Sequence, residues 1–198
     1  PRQARGASCS PSRHTWTDGD NADRVPGEPP GMPYLTVEEI ESGLSDLEAR
    51  YPSVCRHIAL PHRTYEGRTV TALRIGRHDD DGNRAGVLFL ANVHANEWGG
   101  SDTALSFASD LLQAWESGTG LSYGGTAFSA DDVASIIDLC DLFVVGCVNP
   151  DGRAYSQEAP ANKDWRKNRR PLNDTDPRIG ADINRNFDSH WAYQGVPA

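Results

Sequence analysis

Gly86-Val-Leu-Phe-Leu-Ala-Asn-Val-His94-Ala-Asn-Glu97-Trp-Gly-Gly100 is the stretch on which the reading of this chain turns. The apolar run 86–93 has the length and composition of a strand buried on both faces. Gly99-Gly100-Ser101-Asp102 then predicts a turn and a helix N-cap. An imidazole and a carboxylate three residues apart, on a tight bend at a strand's carboxyl end, can converge on one point. One nitrogen with one or two oxygens is a donor set suited to zinc, so His94 and Glu97 are candidate metal ligands. Taken alone, the spacing is weak: a Glu at a helix start beside a partly buried His produces the same letters. The rest of the chain decides between the two.

Working outward, Leu142-Phe-Val-Val-Gly-Cys-Val148 predicts a second buried strand, ending in the turn signal Asn149-Pro-Asp-Gly152. Between the two strands lie a helix over 102–115, with Leu105, Ala108, Leu111, Leu112 and Trp115 on its apolar side, a Gly/Ser/Tyr loop over 117–128 and a short helix over 131–139. Strand, helix, loop, helix, strand predicts a parallel crossover. Upstream, Thr36-Val-Glu-Glu39 is a capping box opening a helix with Val37, Ile40, Leu44 and Leu47 at helical spacing. Two strands near 54–60 and 69–75 form a hairpin with Glu66-Gly67 between them. The Asp79-Asp80-Asp81-Gly82-Asn83 run reads as a solvated turn, since it lacks the spaced ligands of a calcium loop. The expected fold is α/β: a mixed, largely parallel sheet flanked by helices, truncated on its C-terminal side.

Residues 1–33, rich in Pro, Gly, Ser, Arg and Asp, read as a polar, flexible tail that cannot offset its ordering entropy. The globular part spans 34–198. With 198 residues, 37% of them hydrophobic, the chain is long enough for one domain with a core. Its net charge of −9 argues against a general nucleic-acid binder, and no apolar run approaches the ~18 residues of a membrane span. The chain begins at Pro1 without a signal-peptide pattern, which is expected of a processed chain or a piece of a longer one.

Cys140 and Cys147 flank one apparent strand. Seven residues of strand separate them by ~23 Å, so they cannot bridge each other. Any disulfide would have to involve Cys9 or Cys55. Past residue 153, Lys163, Arg166, Lys167, Arg169, Arg170, Arg178 and Arg185 crowd together in an otherwise acidic chain, a cluster suited to an anionic ligand group or to plain solvation.

Five segments in register over about 51–188 resemble the zinc metallocarboxypeptidase family, carboxypeptidase A/B type. They are Tyr51-Pro52 with the Glu66-Gly67-Arg68 hairpin, His94-x-x-Glu97-Trp98, Asn149-Pro-Asp-Gly152, Trp165-Arg166-Lys167-Asn168-Arg169 and Asp182-Ile-Asn184-Arg185-Asn186-Phe187. The resemblance implies that His94 and Glu97 are two of three protein ligands to Zn2+. Arg166 would then stabilise the oxyanion, while Asn184 and Arg185 clamp the substrate's C-terminal carboxylate. It implies a secreted enzyme acting on peptide or protein C-termini. The family's third ligand, a histidine, its capping tyrosine and its general-base glutamate all come after the Asn-Arg pair and are not found before Ala198. His190 and Glu158 lack the matching context. Asn96 stands where many members have arginine, and Lys163 lies near the oxyanion arginine. These 198 residues alone are therefore expected to be inactive. Two other readings compete: a metal-dependent amidase acting on cell-wall peptides or acylated amino acids, and a non-catalytic binding module.

Overall fold

The computed structural model describes residues 34–78, 84–171, 173 and 179–188. The polar tail at 1–33, the acidic turn at 79–83, Arg178 and His190 lie outside the described residues. Helix α1 (Val37–Arg50) starts on the expected capping box: Thr36 Oγ1 accepts from the Glu39 N–H (3.2 Å), and Glu39 Oε2 accepts from the Thr36 N–H (2.7 Å). Its buried residues are Val37, Ile40, Leu44 and Leu47, the face expected from their spacing. Strands β1 (Cys55–Arg63) and β2 (Thr69–Ile75) pair antiparallel, Cys55 opposite Ile75.

Strand β3 (Ala85–Leu90) leads to helix α2 (Gly99–Ser117). Next come the short strands β4 (Leu121–Tyr123) and β5 (Thr126–Phe128), helix α3 (Ala130–Leu139), strand β6 (Cys140–Val145) and helix α4 (Pro150–Glu158). Two single-turn 3-10 helices, Pro160–Asn162 and Ile183–Arg185, follow.

The main sheet has the order β1-β2-β6-β3. β3 and β6 are parallel, as the crossover requires, with Val87 opposite Leu142. β2 and β6 are antiparallel, so among the described residues the sheet is mixed with a single parallel pairing, fewer than expected. The core joins Leu73 and Ile75 of β2 and Leu142 and Val144 of β6 to residues of α1, α2 and α3.

Four expectations need correction. Strand β3 is not buried on both faces: Leu88 is 62% exposed and Phe89 39%. It is an edge strand, paired with β6 alone among the described residues, and its apolar face is covered only in part, where Phe89 meets Phe107 of α2 at 5.1 Å between ring centroids. The 117–128 loop is a hairpin, because Gly124 (φ 57°) and Gly125 (φ 83°) supply the two left-handed positions of a two-residue turn. Helix α2 begins at Gly99 without a side-chain cap, so the Gly-Gly-Ser-Asp stretch lies inside the helix and does not precede it. Asn149-Pro150 opens helix α4, with Asn149 Oδ1 accepting from the Gly152 N–H (3.1 Å) and proline at the first position, where its missing N–H costs nothing. Cys55, Cys140 and Cys147 are free thiols.

One buried cation ties the layers together. Arg153 of α4 is fully buried and donates to the carbonyls of Leu35 and Trp98 (Nη1 to Trp98 O, 3.0 Å), joining the starts of α1 and α2.

Candidate active site

Parallel pairing brings the carboxyl ends of β3 and β6 to the same edge of the sheet, where α/β proteins form clefts. The His94–Glu97 bend follows β3 and α4 follows β6. Between them sits the 165–169 loop, docked by main-chain and amide bonds. The Ala95 N–H donates to Arg166 O (3.0 Å), and Asn149 Nδ2 donates to Lys167 O (3.1 Å). Ser156 of α4 holds the bend from behind, accepting from Trp98 Nε1 (2.8 Å) and donating to Ala95 O (3.0 Å).

His94 is buried, and both its ring nitrogens face carboxylates: Nδ1 lies 3.0 Å from Glu97 Oε1 and Nε2 3.1 Å from Asp182 Oδ1. Arg166 joins the same group, its Nε donating to Asp182 Oδ2 (3.1 Å) and its Nη1 lying 3.7 Å from Glu97 Oε1. Partial burial works to raise the Asp182 carboxyl pKa, but the Arg166 guanidinium and the Asn184 N–H more than offset it and hold the group below the usual carboxylate range. Asp182 is therefore an anion at neutral pH, fit to accept the Nε2–H of His94.

The structure thus brings His94, Glu97 and Arg166 together. Asn184 joins through its backbone, its N–H donating to Asp182 Oδ1 (2.9 Å). Arg185 shares that 3-10 turn, but its exposed guanidinium donates to Asn184 O (3.0 Å). Asn96 is exposed. Lys163 pairs with Asp164 (2.9 Å). Glu158 lines a separate cavity of about 540 Å³ with Glu66, Arg68, Tyr155 and Arg169. Among the described residues, four of the basic cluster have side-chain partners: Lys163, Arg166, Arg169 and Arg185. Arg169 lies over the Tyr155 ring (3.6 Å to its centroid) and beside Trp165 (4.8 Å), with Glu66 Oε1 3.5 Å from its Nε. The sequence assigns no role to the Asp182 side chain, which the structure sets between His94 and Arg166; its one signal there is its place at the head of the Asp-Ile-Asn-Arg segment.

Among the described residues, no group of three or more His, Cys, Asp or Glu side chains is arranged to hold a metal. The pair His94 and Glu97 nonetheless fits one. In the tautomer that carries its proton on Nε2, donated to Asp182, the Nδ1 lone pair of His94 faces Glu97 Oε1 at 3.0 Å, so one nitrogen and one oxygen face a shared space. A cation satisfies both. Carboxylate support of the other ring nitrogen is the arrangement that orients metal-ligating histidines.

Residues 40–198 match the family model for zinc carboxypeptidases. The chain belongs to this family. It is 30% identical over 162 residues to metallocarboxypeptidase A of Trichophyton tonsurans, covering 82% of this chain and 35% of that protein. It is 29% identical over 163 residues to zinc carboxypeptidase A 1 of Anopheles gambiae, covering 82% of this chain and 33% of that protein. The chain thus spans about a third of the length of these relatives. Among solved structures, carboxypeptidase A from Helicoverpa armigera superposes with a TM-score of 0.63 at 23% identity, over 81% of this chain and 35% of that one. Thrombin-activatable fibrinolysis inhibitor gives 0.65 at 23% identity, over 80% and 36%. These structures share the expected fold, a mixed sheet flanked by helices.

Proposed function

We propose that this chain supplies part of the active site of a zinc-dependent metallocarboxypeptidase that removes C-terminal residues from peptides. The observation that carries the reading is the His94 imidazole held between Glu97 and Asp182, with Arg166 bonded to the same Asp182. His94 and Glu97 are the residues that hold zinc, with a third protein ligand expected outside the described residues. When bound, zinc supplies Lewis-acid polarisation of the scissile carbonyl and a water acidified to a pKa of ~7.

The chain's own residues do the rest. Asp182 accepts the Nε2–H of His94, fixing its tautomer and the direction of its Nδ1 lone pair. Arg166 is cationic and its side chain is 42% exposed, so its guanidinium can donate to an oxyanion growing on the carbonyl. Loss of one such donor typically costs ~2.7–4 kcal/mol of transition-state stabilisation. Asn184 and Arg185, exposed on the turn after Asp182, bind the substrate's free carboxylate, for which the planar guanidinium fork is suited. An extracellular location belongs to the same reading, on the strength of the family resemblance. No described helix is long and apolar enough to cross a membrane.

Binding tests the carboxylate clamp on this chain directly. A dipeptide with a free C-terminus is expected to bind more tightly than its amide, and Arg185→Met to erase the difference. Equal binding of the two by the parent chain sinks the clamp and favours an amidase acting on blocked substrates. The 198 residues alone, given stoichiometric zinc and a C-terminally free peptide, are expected to show no turnover; measurable release of the C-terminal residue overturns that part.

A further inference from the structure

Asn92 is the one non-glycine residue with a positive φ (52°) among the described residues, and it is buried at 3% exposure. Asparagine tolerates this left-handed conformation better than most L-residues, but a buried amide in it still needs partners. All are present. Nδ2 donates to His94 O (2.8 Å) and to Glu97 O (3.2 Å), so one amide spans both ends of the bend. Oδ1 accepts from the Sγ–H of Cys147 (3.2 Å), a residue of the segment that leaves β6.

We infer that Asn92, oriented by the Cys147 thiol, is the positioning residue of the His94–Glu97 bend; this rests on the reading of those two residues as metal donors. The amide can face only one way. Turned over, its oxygen would meet two carbonyl oxygens and its N–H groups would meet a hydrogen donor. The thiol remains a donor at neutral pH, because burial pushes Cys147 up to about 12. The bonds reach the main chain of both donor residues, so they set the spacing from which the Nδ1–Oε1 separation of 3.0 Å follows. Cys147 belongs to the hydrophobic core cluster, so the amide ties the bend to that core through the thiol.

Two pairs of variants test this in the whole 198-residue chain by zinc titration calorimetry, with hydrogen exchange over 94–100 and zinc-free melting measured alongside. Asn92→Gly keeps the positive φ available and removes both donors. It is expected to weaken zinc binding about tenfold or more, the effect typical of losing a partner that supports a ligand, and to speed exchange in the bend. Cys147→Ala is expected to weaken binding in the same direction, and Cys147→Ser, which keeps a hydrogen donor, to restore it. Should Asn92→Gly fail to fold, the cysteine pair decides. His94→Ala separates the two levels of the argument. If it binds zinc as well as the parent, the metal-donor reading fails and this inference falls with it. If it loses binding while Asn92→Gly binds like the parent and only melts lower, the amide is merely structural and the inference alone is overturned.

Discussion

His94 Nε2 lies 3.1 Å from Asp182 Oδ1, joining residues 88 positions apart in the chain. The contact ties the bend after β3 to the 3-10 turn that carries Asn184 and Arg185, and through Asp182 Oδ2 it also reaches Arg166. A single carboxylate thus couples the proposed metal donor, the proposed oxyanion donor and the turn proposed to clamp substrate.

Asp182→Asn keeps the shape and removes the charge. Zinc affinity is expected to fall by about 10–100-fold, as for other partners that support a metal-ligating histidine. Calorimetric titration of the variant checks this; binding equal to the parent's contradicts the role given to Asp182.

Asp151 of α4 is a buried carboxylate bonded to three groups of the β1–β2 hairpin loop. Thr64 Oγ1 (2.8 Å), the Glu66 N–H (3.0 Å) and Arg68 Nη1 (2.9 Å) all donate to it. Removing it takes the acceptor from the Thr64 hydroxyl and the Glu66 N–H and leaves Arg68 with Glu66 Oε2 (2.6 Å) as its remaining carboxylate partner. Asp151→Ala is expected to destabilise the fold by about 3 kcal/mol, measured by urea unfolding. A shift below about 1 kcal/mol would show that the hairpin loop does not depend on this anchor.

Acid is expected to weaken the fold partly through Asp141. Although burial raises its pKa, hydrogen bonds from Arg74 (2.9 Å) and Arg84 (3.0 Å) prevail and hold the carboxyl below its usual range. A carboxyl depressed on folding stabilises the protein fully above its unfolded pKa, about 3.9. That contribution is lost as pH falls from there through the lower folded value. Urea midpoints measured from pH 7 downward should drop over that window, and the drop should be shallower in Asp141→Asn. Parallel curves for the two proteins would assign the acid response elsewhere.

The exposed edge of β3 carries Val87, Leu88, Phe89 and Leu90 beside an apolar cavity of about 500 Å³ against α2. Open strand edges with apolar side chains invite association. The isolated 198 residues are expected to self-associate with rising concentration in sedimentation velocity, and Leu88→Lys to suppress it. A parent chain that stays monomeric across the series, or an unaltered Leu88→Lys, argues that this edge does not drive association.

Several elements were legible because their cause is local. The capping box and the spacing of Ile40, Leu44 and Leu47 announce α1, and Glu66-Gly67 announces the first hairpin. The convergence of His94 on Glu97 follows from their three-residue spacing on a bend. The β4–β5 hairpin was within reach too, since Gly124-Gly125 between short strands is a turn signal, but the polar composition masked it. Asn149-Pro150 reads as a turn in the sequence, yet asparagine followed by proline equally opens a helix; the helical continuation over Pro150–Glu158 separates the two.

Sequence by itself determined which residues could serve: an imidazole and a carboxylate at a strand's end, a run of guanidinium groups downstream, and an apolar segment seeking cover. Tertiary structure alone decided which of them meet. It gave Asp182 to His94 and Arg166, set Arg169 among aromatic rings and Glu66, and left β3 paired with β6 alone among the described residues. The physical reason is that periodicity and turn chemistry act over a few residues, whereas a hydrogen bond across 88 residues depends on how the elements between them are stacked. Hydrophobicity states that a strand favours burial; only its neighbours in space determine whether it is covered.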